Sequence, residues 1–136
     1  MLGKEFLYFL KEKKLLTDKE VKSLLEEKEK TGKSFEEIIL SKKILSEKEL
    51  YEKKAEFLKI PLWKVPFEGI SDEIFKEIPE EAAKQYKIVP LEKENGVLKV
   101  GVIEPEDFSV ISYLRFLEKE KNLKIKPYLI TPQQFK

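Results

Sequence analysis

The chain is 136 residues long, enough for one domain or two very small ones, and sets 27 Lys+Arg against 26 Asp+Glu for a net charge of +1. That balance offers no field to gather nucleic acid or an anionic membrane, and the absence of Cys and His removes thiol and imidazole nucleophiles, the usual zinc sites and histidine pH switches. A Lys/Glu-dense surface with one Met and a single arginine, Arg115, is the composition associated with heat-adapted proteins, and no apolar run reaches the ~18 residues of a membrane span, so a cytoplasmic protein is expected.

Residues 1–60 carry a duplication. Lys14-Leu15-Leu16-Thr17-Asp18-Lys19-Glu20-Val21 returns as Lys43-Ile44-Leu45-Ser46-Glu47-Lys48-Glu49-Leu50 at an offset of 29 residues, and Phe6 and Leu10 return as Phe35 and Ile39. A helix–turn–helix unit of this size cannot bury its apolar face alone, so it stacks on its copy. Thr17-x-x-Glu20, Ser34-x-x-Glu37 and Ser46-x-x-Glu49 each set a hydroxyl three residues before a carboxylate, the capping-box pattern. Gly32 stands where the helix begun at Thr17 should stop. The pattern predicts helices near 3–14, 18–30, 35–43 and 47–58. Phe6, Phe9, Leu10, Val21, Leu24, Leu25, Phe35, Ile38 and Ile39 follow three–four spacing and should share one core.

Two prolines and a glycine then break the helical regime and mark 61–70 as an apolar linker that contains Leu62 and Trp63. Ser71 caps a short helix running to about Ile78, and Pro79 opens another over Glu80–Gln85. From Tyr86 the period becomes that of strands: 87–91 and 97–103 flank Glu94-Asn95-Gly96, a tight hairpin signal. A helix follows over Asp107–Lys121, with an expected apolar face of Phe108, Ile111, Leu114 and Phe116 or Leu117. Residues 123–130 alternate as a last strand, and 132–136 read as the start of a further helix or a linker. The fold class is therefore α+β. A four-helix subdomain over 1–60 precedes an α-α-β-β-α-β subdomain over 71–131 with a small three-stranded sheet.

The duplicated helical pair, then "EFLKIPLWKV", "IPEEAAKQYKIVPLEKENGVLKVGVIEPEDF", a helix and "LITPQQF" resemble the N-terminal domain of the type II secretion and type IV pilus assembly ATPases, with MshE-type helical repeats in front. The resemblance covers nearly the whole chain. Its second half is the more specific part, being similar to the family's run of proline, acidic helix, Pro-Leu, hairpin and Asp-Pro-x-Asp. It implies a module that anchors a hexameric motor to its inner-membrane platform. The expected partner is the cytoplasmic domain of the platform protein, with no nucleic acid and no direct membrane insertion, so any membrane association is peripheral and through that partner.

Some members of the family use the repeats to bind cyclic di-GMP, through Arg-Leu-Gly at the start of each repeat and Gln near its end. Here those slots hold Glu5, Phe6 and Leu7 with Lys28 in the first repeat, and Ser34, Phe35 and Glu36 with Phe57 in the second. Carboxylates stand where phosphates would be met, and the arginine fork and the glycine are gone. No cyclic di-GMP binding is expected.

The chain has no Gly-x4-Gly-Lys-Ser/Thr and is not itself the motor. Gly32-Lys33-Ser34 reads as a helix end followed by a new cap. Of the acidic groups Glu80-Glu81 and Glu104/Glu106/Asp107, Glu80-Glu81 after Pro79 and Glu106-Asp107 after Pro105 read as first turns, where carboxylates complement the helix dipole, and not as acid–base pairs or a metal site. No catalytic residue, metal ligand or cofactor is assigned. The candidate partner interface comprises Trp63 with Leu62, and Tyr113, Arg115 and Phe116, where the one arginine sits between two aromatics. For Trp63 the commoner role is to pin a linker onto its own domain. The expectation is a non-catalytic docking adaptor, and the alternative is a cyclic di-GMP-binding regulatory module.

Overall fold

The computed structural model describes residues 2–135, which form two compact units that meet in the chain between Lys59 and Ile60. The first contains α1 (Lys4–Glu12), α2 (Asp18–Thr31), α3 (Phe35–Ser41) and α4 (Glu47–Leu58). Their starts follow the local hydrogen-bond chemistry of the sequence. Thr17 Oγ1 accepts from the Glu20 amide at 3.1 Å while Glu20 accepts from the Thr17 amide at 2.9 Å, and Ser46 and Glu49 repeat the exchange at 3.1 and 3.2 Å. Ser34 accepts from the Glu37 amide at 3.2 Å and starts α3.

The stops are equally local. Lys14 and Lys43 take left-handed φ values of 63° and 56°. The Leu15 amide closes on the Leu10 carbonyl at 3.0 Å, and the Ile44 amide on the Ile39 carbonyl at 3.1 Å, the six-to-one bond of a Schellman stop. Gly32, at φ 74°, ends α2 as expected. In space, α1 packs on α2 and α4, and α2 packs on α3. The first helix of each repeat thus lies against the second helix of the other. Phe6, Leu7, Leu10, Ile38, Ile39 and Leu50 are fully enclosed by this exchange, whereas Phe9 and Leu25 are only half-buried.

The second unit holds a 3-10 turn at Phe67–Gly69, then α5 (Asp72–Phe75), α6 (Glu80–Tyr86), β1 (Ile88–Glu94), β2 (Val97–Val102), α7 (Phe108–Lys121), β3 (Lys124–Leu129) and α8 (Pro132–Phe135). β1 and β2 pair antiparallel from Ile88↔Val102 to Glu94↔Val97, with a register shift between Pro90 and Glu92. Asn95 and Gly96 turn the hairpin at φ 50° and 77°, the left-handed pair that a two-residue turn demands. β3 pairs parallel to β2, and such a pair needs a crossover, here α7. Leu98, Val100 and Val102 alternate onto the helical side of the sheet and meet Ile78, Ile88, Val110 and Leu117. Gly101 faces the other way beneath Ile130, whose Cγ2 would lie 2.7 Å from any added Cβ.

Two expectations are corrected. α5 ends at Phe75 and not near Ile78, because Ile78 leaves the helix to enter the core. The buried face of α7 is Val110 and Leu117, with Tyr113 and Leu114 packed beside them, whereas Phe108 is 77% exposed and Phe116 is 53% exposed. Both stripes of α7 are apolar at three–four spacing, and the crossover geometry selects one. Within the linker, Leu62 makes one isolated bridge to Leu129, with the Trp63 amide donating to the Leu129 carbonyl at 2.9 Å and the Leu129 amide to the Pro61 carbonyl at 2.8 Å. The expected helix after Thr131 is present as α8, capped by a Thr131–Gln134 exchange at 2.9 and 3.2 Å.

Candidate binding surfaces

Several of the positions set by resemblance against the dinucleotide motif, Phe6, Leu7, Phe35 and Glu36 among them, are taken up in the packing of the repeats. Phe6 is fully buried and carries the Phe57 ring at 5.3 Å, with Phe9 5.2 Å from the same ring. At the matching place in the other copy, the Lys28 ammonium lies 4.9 Å over the ring of buried Phe35. Each repeat therefore covers the leading aromatic of its partner repeat. Leu7 is fully buried. Ser34 is spent on the α3 cap, and Glu5 remains exposed in the first turn of α1. Glu36 does not face outward: its Oε2 pairs with the Lys54 ammonium at 3.3 Å, and that side chain is wholly enclosed. The exchange extends to the surface, where Lys13–Glu56 at 2.9 Å and Lys42–Glu27 at 3.1 Å are the same bridge written twice.

The five candidate interface residues separate into distinct places. Trp63 and Leu62 lie along β3, both half-buried. The Trp63 ring meets Tyr128 edge-on at 5.1 Å, its carbonyl accepts from Gln134 Nε2 at 3.1 Å, and its indole N–H is buried without a hydrogen-bond partner. Tyr113 stacks on Tyr86 at 4.5 Å and lies 6.0 Å from Phe116, so three rings run from α6 out along α7. Burial raises the Tyr113 phenol pKa, with smaller contributions from Tyr86 and Glu120. Arg115, two residues on, points about 200° away from Tyr113 around the helix. It lines a pocket of about 190 Å³ with Ile111, Leu114, Ile125 and Pro127.

Sequence reasoning missed a larger groove of about 620 Å³ between α5, α6 and the outer edge of β1, lined by Phe75, Ile78, Pro79, Ala83, Val89 and Pro90. Pro90, in mid-strand, was its one legible signal, since proline is confined to strand edges. The acidic clusters hold structure together. Glu80 pairs with Lys84 at 3.1 Å. Asp107 caps α7 by accepting from the Ser109 amide and hydroxyl at 2.9 and 2.8 Å, which lowers its pKa below the ordinary carboxylate value. Among the described residues no group of three or more His, Cys, Asp or Glu side chains is placed to hold a metal ion, and no helix is long and apolar enough to cross a membrane.

Comparison with known proteins places this geometry. The MshEN domain family matches residues 58–136, more than half of the chain. The fold is similar to that of a structure of MshE with cdg, at TM-score 0.84 and 16% identity over 96% of this chain and 92% of that one. It is also similar to the N-terminal domain of XpsE in two crystal forms: TM-score 0.66 at 19% identity over 99% and 92%, and TM-score 0.53 at 18% identity over 96% and 89%. These likenesses are of fold, and they bear out the α+β class. No curated protein matches the chain by sequence.

Proposed function

Because the chain belongs to the MshEN domain family, we propose that it is a non-catalytic docking domain of a type II secretion or type IV pilus assembly ATPase, tying the motor to the cytoplasmic domain of its inner-membrane platform protein. One observation carries this reading. Four of the side chains at the slots set against the dinucleotide motif are taken up inside the helical unit, with Phe6, Leu7 and Phe35 in the core and Glu36 paired to Lys54 inside it. The helical unit therefore has little left at those slots for a phosphate, while aromatic surface stays open on α7 of the second unit. The protein would sit in the cytoplasm, held at the membrane through its partner. Shared ion pairs, such as Glu77 with both Lys93 at 3.3 Å and Lys121 at 3.6 Å, support heat adaptation.

The test is titration of the folded chain with the purified cytoplasmic domain of the platform protein. Micromolar or tighter binding is expected. A silent titration with both partners folded ends this reading. The second reading, a cyclic di-GMP sensor, is favoured by one observation: the likeness at TM-score 0.84 to MshE with cdg. It requires the buried slots to open. Calorimetry with cyclic di-GMP decides it, since saturable micromolar heat would replace docking by sensing as the role of the repeats.

A further inference from the structure

The outward stripe of α7 joins two exposed aromatic rings to two exposed cations. Phe108, Ser112, Arg115, Phe116 and Lys119 share one side of the helix, opposite buried Val110 and Leu117. Phe108 at 77% exposure and Phe116 at 53% are separated by two turns, about 12 Å along the axis. The Tyr113 ring, itself stacked on Tyr86, lies 6.0 Å from the Phe116 ring and backs it on one side. Arg115 and Lys119 are exposed and make no ion pair among the described residues. Three lysines on or next to other helices are answered: Lys84 by Glu80, Lys53 by Glu56, and Lys42, the cap of α3, by Glu27. The neighbouring carboxylate of Glu118 is turned aside, accepting from the Ile125 amide at 2.9 Å.

We propose that this stripe is the seat of an acidic amphipathic helix supplied by the partner protein. Aliphatic side chains two turns apart on that helix cover Phe108 and Phe116, and its flanking carboxylates answer Lys119 and the planar fork of Arg115. The inference rests on the docking reading above and names the chemistry of the partner's contact.

The test uses the full chain with two designed helical peptides, both leucine-faced, one flanked by glutamate and one by lysine. NMR amide shifts confined to α7 on adding the acidic peptide are expected. The Arg115→Glu/Lys119→Glu variant should weaken the acidic peptide roughly tenfold or more and gain the basic one, and Phe116→Ser should weaken both. Absence of shifts on α7, or a charge reversal that does not swap peptide preference, overturns the proposal. Self-association of the chain that Phe116→Ser abolishes assigns the stripe to a second copy and overturns it as well. If the acidic peptide binds as expected while the platform's cytoplasmic domain does not, the stripe stands and the platform assignment falls. If the platform domain binds and charge reversal leaves it untouched, docking stands and the stripe falls.

Discussion

Where the first helical repeat encloses Leu7, the second places Glu36, and where the first has half-buried Leu25, the second has the wholly enclosed Lys54. The first copy fills its interior with hydrocarbon. The second fills the same space with an ion pair at 3.3 Å, its ammonium also 5.2 Å over the Tyr51 ring. The periphery has not diverged in this way. The left-handed lysines 14 and 43, the capping boxes at Thr17 and Ser46, and the bridges Lys13–Glu56 and Lys42–Glu27 are the same devices in both copies. The elbow between the two helices depends on a few local hydrogen bonds and is kept in both copies. The outer ends differ: α1 starts at Gly3 without a side-chain cap where α3 has Ser34, and α2 stops at Gly32 where α4 stops at Lys59. An interior site accepts any pair of side chains that fills its volume and satisfies its own polarity.

The sharpest test of this contrast is to write the first repeat into the second. Lys54→Leu alone strands Glu36 in an apolar surround and should cost about 3–5 kcal/mol, while Glu36→Leu with Lys54→Leu should return stability to the parent value or up to about 1–4 kcal/mol above it. Denaturant midpoints of the helical unit, followed by circular dichroism, check this. A single variant as benign as the double would break the comparison.

Next in size are the covers of the two leading aromatics. Phe57 presents a ring to both Phe6 and Phe9, so Phe57→Ala should cost about 2 kcal/mol. Lys28→Ala, which removes one cation from the Phe35 face, should cost about 0.5–1 kcal/mol in the same assay. Equal losses would mean that the two repeats do not cover each other through these side chains.

Smaller still, Lys14→Gly and Lys43→Gly should each stabilise the chain by about 1 kcal/mol, since both side chains occupy the left-handed region at the same stop. Matching rises in thermal midpoint are expected, and a rise at one site alone would show that the two elbows are not equivalent.

The least effect comes from the surface bridges, and it is read by pH. The Glu56 carboxyl pKa is lowered by hydrogen bonds from Lys13 and Lys53. A lowered folded-state value means its contribution is present above the ordinary carboxylate pKa and fades as pH falls through the folded one. Glu56→Gln should therefore flatten the acid side of the stability profile and leave the alkaline side unchanged.

Much of the fold was legible because its signals are local. Hydroxyl–carboxylate spacing set the helix starts, Asn95-Gly96 set the hairpin, and the 29-residue offset announced the repeats. The face of α7 was misread because Phe108 and Phe116 on one stripe look as apolar as Val110 and Leu117 on the other. The candidate site was legible only in part. Arg115 and Phe116 were singled out by composition and stay exposed on α7, but nothing in the spacing told that Trp63 would join the edge of β3 while Tyr113 stacks on Tyr86. The groove beside β1 left only Pro90 as a trace.

What the sequence alone determined, then, is where the capped helices begin and where the hairpin and the two elbows turn, because caps, stops and tight turns are bonds among residues at most about six apart. Which helix lies on which, the parallel pairing of β3 with β2, and which aromatic rings stay in water were decided only in the assembled fold. Those outcomes depend on surfaces far apart in the chain competing for the same buried volume.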